Sequence, residues 1–264
     1  MKIVVAVKEV AALDEEFELL EDGARVDIDF VEWDLNEWDA FSLEAALQLR
    51  ESAGGEGDEV VVVTVGDDNA EDGLLSCLAK GADRAVRVWD EALEGADVLA
   101  VARVLAAAVQ REAPDLVLCG VQSSDAVNGS TGTALAGYLD LARVAVVTHL
   151  DWDAADGTAT VHRELEGGLI EVLRVRTPAL LTIQTGINEP RYATLRAIKQ
   201  AREKPLELVS PDGLGLDEAA VRAAGSRIVA LVPPERGAGA EMLNGSAAAV
   251  AARIIEIVGE RMAG

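Results

Sequence analysis

The sequence predicts an α/β fold, with an open, mostly parallel sheet that carries helices on both faces. Two observations support this prediction. Short, continuous runs of apolar and β-branched residues recur between residues 2 and 150, and segments with a helical spacing of apolar residues separate them. Continuous apolar strands are typical of parallel sheets that are buried on both faces, and the intervening helices supply the crossover connections.

The strands and helices of the first half follow in order. Strands are predicted at residues 2–7, 59–66, 84–89, 114–120 and 144–150, and helices at 42–51, 69–80 and 97–111. Ser42 is the expected N-cap of the first helix, because its hydroxyl oxygen can accept a hydrogen bond from a backbone N–H of the first turn. Gly81 is expected to end the second helix in the left-handed conformation.

The pattern changes after Asp151. Apolar and polar residues alternate in the stretches 158–164 and 169–175, on either side of the turn sequence EGG, which predicts an antiparallel hairpin. The apolar run at 179–185 predicts a further buried strand. Beyond Pro205 the sequence is irregular until an amphipathic helical pattern at 246–262. Two interpretations of this extension stay open: an extended C-terminal arm that packs on another subunit, or a final helix packed on the chain's own sheet.

The composition excludes several functions. The 264 residues hold 47 Asp and Glu against 23 Lys and Arg, a formal charge of -24, which argues against a nucleic-acid ligand because phosphates need a basic face. No run of about 18 apolar residues or signal peptide is visible, so we expect a cytoplasmic protein without direct membrane insertion. Cys77 and Cys119 are expected to be buried thiols, and two histidines are too few for a histidine-based metal site, so no metal is predicted.

The candidate binding site is the crevice outside the carboxyl ends of the strands, as in Rossmann-like, adenine-nucleotide-binding folds. Ala6 ends the first strand and Gly66 ends the second, where a glycine lets a ligand approach the backbone. The loop after the fourth strand passes through Gly129, Ser130, Thr131 and Gly132 into a helix. Backbone N–H groups at such a helix start bind anions, which predicts a phosphate there, although the same pattern also suits a mere tight turn. Neither the P-loop nor the GxGxxG pattern is present.

One short segment concentrates scarce positive charge. Residues 191–204 hold five basic side chains, one acid and Tyr192, one of only two tyrosines; the basic residues are Arg191, Arg196, Lys199, Arg202 and Lys204. The segment is either a partner-docking element or an ordinary surface helix that neutralises nearby acids. Trp38, expected on a loop before the first helix, is likewise either an anchor under that loop or a contact to a ligand or partner.

Several of these motifs, in this order, resemble the β subunit of electron-transfer flavoproteins. They are LNEWDAFSLEAALQLRE, GVQSSDAVNGSTG, RELEGG and INEPRYATLRAIKQAREKP, within a resemblance that covers about residues 1–205. The first half is most similar to the flavoproteins of methylotrophic bacteria that serve trimethylamine dehydrogenase and related amine dehydrogenases. The resemblance implies a heterodimer in which the α subunit holds most of one FAD, and a β subunit that buries a structural AMP. It implies an electron carrier without catalytic residues of its own.

Carried over residue by residue, the resemblance also implies the sites. The adenosine end of AMP would contact Ala6, Asn36, Val65 and Gly66, and its phosphate would contact Gly129, Ser130, Thr131 and Gly132. Leu13, Trp38 and Glu164 would lie near the FAD, with Glu164 paired to an arginine of the α subunit. Two positions depart from many relatives, since Leu13 replaces a tyrosine and Trp38 a phenylalanine.

The basic segment would be the partner recognition loop. Leu195 would enter a pocket on a flavin-containing dehydrogenase, Tyr192 would brace the turn, and Arg191, Arg196 and Lys199 would steer the partner. Electrons would pass on to a membrane quinone oxidoreductase. The expected division is an AMP-binding domain at 1–190, the recognition segment at 191–204, and an arm at 205–264 that packs on the α subunit. The alternative is a stand-alone adenine-nucleotide sensor of the stress-protein type, which would not explain the INEPRYATL motif.

Overall fold

A nine-stranded, mostly parallel sheet forms the centre of the molecule, in the strand order β11-β5-β4-β1-β6-β10-β7-β8-β9. The computed structural model describes residues 1–12, 18–21, 23, 26–27, 31–153, 156–222, 225–232, 239–240 and 242–262. The strands are β1 Lys2–Ala6, β2 Glu9–Ala12, β3 Glu32–Leu35, β4 Glu59–Val65, β5 Arg84–Val88, β6 Leu116–Gly120, β7 Ala142–Asp153, β8 Thr158–Leu165, β9 Leu169–Arg176, β10 Ala179–Ile183 and β11 Leu206–Val209. The helices are α1 Glu37–Ala53, α2 Ala70–Lys80, α3 Val98–Glu112, α4 Thr131–Leu139, α5 Leu195–Ala201, α6 Glu218–Arg222 and α7 Ala247–Met262.

The predicted fold class is confirmed. From β11 through β7 the neighbouring strands pair in parallel, and the long β7 then starts an antiparallel meander with β8 and β9. The predicted hairpin is the β8–β9 pair, in which Leu165 lies opposite Leu169. β2 and β3 form a separate two-stranded antiparallel sheet. The chain moves outward from β1 to β4 and β5, and then crosses to β6 on the other side of β1, so the topological switch point lies between β1 and β6.

Two hydrophobic layers explain why the sheet carries helices on both faces. Along β1, Ile3 and Val5 belong to one buried cluster, whereas Val4 and Ala6 belong to the other. This alternation follows from the two-residue period of a strand, so a continuous apolar run fills both layers. Burying each valine or isoleucine side chain of β1 contributes on the order of 1.5–3 kcal/mol, so this strand stabilises both layers.

The first helix begins earlier than the sequence predicts. α1 starts at Glu37, and Ser42 lies inside it, fully buried, with its hydroxyl donating to the carbonyl of Trp38 at 3.0 Å. The predicted N-cap role of Ser42 is therefore wrong, and Asn36 holds that position. The apolar periodicity begins only at Leu43, but the acidic residues of the first turn favour a helix start through the helix dipole. Gly81 follows α2 at φ 134°, a positive value but not the left-handed helical conformation that we expected.

The chain after Pro205 first returns to the sheet. β11 pairs with β5 in parallel, and Val221 of α6 is buried in the second hydrophobic cluster, so the extension leaves the main body later than position 205. α7, in contrast, has no buried residue. The interpretation of a final helix packed on the chain's own sheet is therefore wrong. No helix in the described ranges is long and apolar enough to cross a membrane.

Candidate functional site

The carboxyl edge of the central strands brings the predicted nucleotide residues together. Ala6 pairs with Val63 of β4 on one side and with Cys119 of β6 on the other, so the three strands end at the same edge. Val65 and Gly66 continue from β4 at this edge. Ala6 is buried, whereas Val65 and Gly66 are partly exposed. The predicted adenosine residues of β1 and β4 are thus neighbours at the switch-point crevice.

The start of α4 supplies a group of backbone donors at the same edge. Gly129 has φ +59°, a left-handed conformation that a glycine adopts without strain, and Ser130 occupies the N-cap position of α4. The Ser130 side chain makes no capping hydrogen bond, and the residue is exposed. The first N–H groups of α4 therefore lack a side-chain cap, which is the arrangement that binds an anion.

Gly132 has a packing role in this site. A Cβ atom at this position would lie 2.6 Å from Cys119 Sγ and 2.7 Å from Thr182 Cγ2. Only a residue without a side chain lets the first turn of α4 approach β6 and β10 so closely. Gly132 is itself buried, so it positions the helix start rather than offering a surface to a ligand.

Asn36 contributes to the crevice by shaping its loop. Its buried Nδ2 donates to the carbonyl of Gln122 at 2.9 Å, and its Oδ1 accepts from the N–H of Ser124 at 3.2 Å. Lys8 Nζ, which follows β1, contacts Asp125 Oδ2 at 2.5 Å. These contacts tie the loop after β6 to the end of β1 and the start of α1. Asn36 therefore serves the predicted adenosine site through the loop, because both polar atoms of its amide already have partners in the chain.

Asp39 was missed by the sequence analysis and is central to the site. Its carboxylate is buried in the first turn of α1 and accepts the N–H of Lys8 and the N–H of Gly120, each at 2.8 Å. Burial raises the pKa of Asp39 to about 6, against the opposing effect of these two N–H groups. The residue joins the ends of β1 and β6 across the switch point. The signal available in the sequence was an acid just before the apolar pattern of the first helix, where it can lie in the first turn.

Arg87, which the sequence analysis also did not identify, holds the turn that follows Gly66. Its buried guanidinium pairs with Asp68 at 2.9 Å and with Glu71 at 3.1 Å. Beside this turn lies an open cleft of about 550 Å³, lined by Asp67, Asp68, Asn69, Trp89, Asp90 and Glu91. Four carboxylates repel a phosphate, so the electrostatics favour the start of α4 for the anion and disfavour this cleft.

The residues predicted near a flavin lie in different surroundings. Trp38 is in the first turn of α1 rather than on a loop, and its indole N–H donates to Gln184 Oε1 at 2.9 Å. Glu164 is exposed on β8 near the hairpin turn and forms no ion pair with any residue that the structure describes. Leu13 lies outside the described residues. The Trp38 contact favours an anchoring role, whereas Glu164 is free for a partner.

The basic segment is fixed to α1 by one of its arginines. Arg191 donates to the buried Glu44 at 2.8 Å from Nε and to Glu51 at 2.6 Å from Nη1. Its guanidinium lowers the pKa of Glu51. We therefore assign Arg191 to holding the segment in place, a correction to its predicted place on the contact surface. Lys204 is also internal, since its ammonium donates to the carbonyls of Leu78 and Ala82 at the end of α2.

Four other residues of the segment form an exposed surface. Tyr192 is 96% exposed and Leu195 is 81% exposed, so the expectation that Tyr192 braces the turn is wrong. Thr194 caps α5, and Leu195 is its first residue. Arg196 and Lys199 are exposed and make no ion pair with the described part of the chain. A helix start thus presents two large apolar side chains beside two unpaired cations.

Comparison with protein families decides the identity of this fold. The family model described as "Electron transfer flavoprotein domain" matches residues 26–214. The chain belongs to the electron transfer flavoprotein family. It is 52% identical to the electron transfer flavoprotein subunit beta of Methylophilus methylotrophus, over 98% of each chain. The corresponding subunit of Homo sapiens is 34% identical over 92% of each chain, and that of Bacillus subtilis is 32% identical over 93%.

These matches confirm the resemblance to an electron transfer flavoprotein β subunit of the methylotroph type. They span the crevice at the carboxyl edge, the hairpin and the basic segment, since the similarity to the Methylophilus methylotrophus protein covers nearly the whole chain. The name electron transfer flavoprotein describes a redox carrier. The family assignment favours that role over the hypothesis of a stand-alone nucleotide sensor.

Proposed function

We propose that this chain is the β subunit of a heterodimeric electron transfer flavoprotein, with no catalytic reaction of its own. The proposal rests on apolar side chains that are exposed on the β8–β9 hairpin and on α7. On the β8–β9 hairpin, the side chains of Leu165, Leu169, Ile170 and Val172 are 40–65% exposed, and those of Ile254, Ile255, Val258 and Met262 are exposed on α7. Apolar patches of this kind on a soluble protein mark a surface that a partner covers. The occupant is the α subunit, on which the arm and α7 would pack.

The crevice at the carboxyl edge would hold AMP as a structural nucleotide. The start of α4 fits the phosphate, because it has no side-chain cap and begins at an exposed serine. Ala6, Val65 and Gly66 would line the adenosine end, with Asn36 and Asp39 holding the surrounding loop. Gly129, Ser130 and Thr131 would contact the phosphate, and Gly132 would set the position of the helix.

The chain would also complete the FAD site of the α subunit. The FAD supplies the redox chemistry when bound, and residues of this chain would orient it and exclude water. Trp38 offers a fixed aromatic ring for that purpose, Glu164 offers an exposed carboxylate to an arginine of the α subunit, and Leu13 is the third predicted contact. Glu164→Gln is expected to change either the flavin potential or the transfer rate, and unchanged values of both would remove this role.

The basic segment would dock the electron donor, an amine dehydrogenase. Leu195 and Tyr192 would enter an apolar pocket of that enzyme, and Arg196 and Lys199 would orient an acidic partner. Electron transfer depends steeply on distance, so the segment acts by bringing two cofactors close together. The electrons would then pass to a membrane quinone oxidoreductase, in a cytoplasmic protein that does not insert into the membrane itself.

Coexpression tests the proposal. The untagged chain is produced together with the α subunit encoded in the same organism, and the tagged α subunit is purified. We expect a 1:1 complex that is yellow from FAD and is reduced by an amine dehydrogenase within seconds. An α subunit that binds FAD and accepts electrons without this chain would contradict the proposal. A complex reduced only by a different dehydrogenase would retain the subunit assignment and refute the amine dehydrogenase partner.

A further inference from the structure

The stretch of chain that leads from β10 to the basic segment is attached along one side of α1. Residues 184–190, which we call the linker, follow β10 and end before Arg191. At the start of the linker, Gln184 Oε1 accepts the indole N–H of Trp38 at 2.9 Å and the backbone N–H of Thr185 at 3.1 Å. Two donors on one oxygen fix which way the amide group points. The linker thus begins at the aromatic residue that would lie near the FAD.

Asn188 makes the middle contact between the linker and α1. Its Nδ2 donates to the backbone carbonyl of Phe41 at 3.0 Å. Its Oδ1 is buried and accepts no hydrogen bond from the part of the chain that the structure describes. A buried acceptor without a donor lowers stability, so an asparagine at this position needs a role that an apolar residue could not fill. The hydrogen bond from its other amide atom to α1 supplies that role.

Arg191 makes the third contact, directly after the linker, through its hydrogen bond to Glu44. The three contacted positions of α1, 38, 41 and 44, are spaced three residues apart and therefore lie on one side of the helix. Six residues of helix rise about 9 Å, so a short and rigid length of α1 separates the first contact from the last. The far end of α5 is held separately, since Lys204 donates to two carbonyls at the end of α2. The position of the start of α5 therefore depends on the linker.

We propose that Gln184 and Asn188 are positioning residues that hold the exposed start of α5 at a fixed distance from Trp38. The inference rests on the proposed function, in which a dehydrogenase docks on the start of α5 and Trp38 lies near the FAD. Electron transfer depends steeply on distance, so this separation sets the transfer rate after docking. Leu195, in contrast, sets how tightly the dehydrogenase docks. Substitutions of Asn188 and of Leu195 should therefore change different kinetic constants.

Two variants remove the contacts and a third is the matched control. Asn188→Leu has a similar side-chain size and lacks the donor to Phe41, and Gln184→Met has a similar length and lacks the acceptor for the Trp38 indole. Gln110→Leu also replaces an amide by an apolar side chain. Gln110 is exposed on α3, which packs in the second hydrophobic cluster on the other face of the sheet from α1. Thermal unfolding of each heterodimer confirms that the variants are folded.

Stopped-flow reduction of the heterodimer over a range of dehydrogenase concentrations separates docking from transfer. The limiting first-order rate constant should fall roughly 10- to 100-fold in Asn188→Leu and in Gln184→Met, because a misplacement of about 1 Å can cost on the order of 100-fold in rate. The same constant should stay within about twofold of the wild type in Leu195→Ala and in Gln110→Leu. Leu195→Ala should instead raise the dehydrogenase concentration that gives half the limiting rate.

A distance measurement gives a readout that does not depend on electron transfer. Both native cysteines are buried, and burial raises the pKa of each thiol, so neither reacts with a thiol reagent in the folded chain. Nitroxide labels on Glu37→Cys and Arg196→Cys, two exposed positions at the starts of α1 and α5, report their separation by pulsed electron paramagnetic resonance. The labelled chain is combined with the α subunit before measurement. We expect one narrow distance distribution, which Asn188→Leu should broaden or shift.

Two results would overturn the positioning role. The first is an unchanged limiting rate constant in Asn188→Leu while Leu195→Ala weakens docking, which would leave the proposed docking function intact. The second is the same narrow label distance in Asn188→Leu as in the wild type. If Leu195→Ala changed neither kinetic constant, the docking function itself would be refuted, and the role of Asn188 in positioning a docking surface with it.

Discussion

Truncation of Leu195 should slow electron delivery to the flavin without destabilising the chain. The side chain is 81% exposed at the start of α5, so the free protein gains little from its burial. Leu195→Ala removes three carbons, each contributing about 0.8 kcal/mol when buried. If a partner covers the exposed fraction, the loss is about 2 kcal/mol, which corresponds to a roughly 30-fold weaker docking equilibrium.

Stopped-flow reduction of the heterodimer by its dehydrogenase measures this effect. The second-order rate constant should fall roughly 30-fold for Leu195→Ala, while the FAD content and melting temperature stay unchanged. Leu208→Ala is the matched control, because Leu208 is 59% exposed on the edge strand β11. Equal rate constants for the wild type and Leu195→Ala would refute the docking role, and equal losses in both variants would show a nonspecific effect.

Three further predictions concern the elements that hold the site. Gly132→Ala should lower the free energy of unfolding by roughly 1–3 kcal/mol and should lower the AMP content of the heterodimer, because the added methyl group displaces the start of α4. Calorimetry measures the first effect, and chromatography of the released nucleotide measures the second. Arg191→Met should lower the free energy of unfolding by about 2 kcal/mol by leaving a buried carboxylate without its guanidinium, whereas Arg196→Met should change it by less than about 0.5 kcal/mol in the same denaturation assay. The destabilisation caused by Asp39→Asn should be smaller at pH 7.5 than at pH 4 by up to about 3 kcal/mol, as measured by denaturation at each pH.

The sign of the Asp39 effect follows from its raised pKa. The folded carboxyl group, with a pKa of about 6, binds a proton more tightly than the unfolded group, whose ordinary value is 3.8. Its ionisation therefore costs stability as the pH rises through this window, and the asparagine variant lacks that cost. A constant difference between the wild type and Asp39→Asn from pH 4 to 7.5 would contradict the assigned burial. Stability of Gly132→Ala equal to that of the wild type would contradict the close packing of α4.

The sequence predicted the sheet well because strand burial depends on short-range composition. Continuous valine-rich runs leave few alternatives to a buried parallel strand, and the EGG turn fixes the hairpin. The start of α1 could not be predicted in the same way. Its first turn carries Glu37 and Asp39, which give no apolar period, and the reason for burying Asp39 is a pair of backbone N–H groups that become adjacent only in the folded sheet.

The basic segment shows a similar limit. Its composition predicts a positively charged surface, but the sequence does not say which charges are already paired. Arg191 meets Glu44 across 147 positions, and Lys204 reaches the end of α2 across 126. Tertiary contacts of this range divide the five basic residues into those that hold the segment and those that face solvent. Cross-strand register likewise places the two histidines opposite each other, although they are 13 positions apart in the sequence.

The nucleotide content of the purified heterodimer tests the proposed AMP crevice most directly. The heterodimer is denatured, and the released nucleotides are analysed by chromatography that separates AMP from intact FAD. The protein concentration is measured independently. We expect one FAD and one AMP per heterodimer, with the AMP lost from Gly132→Ala while the FAD is retained. One FAD without any AMP in the wild type would contradict the assignment of the crevice at the start of α4.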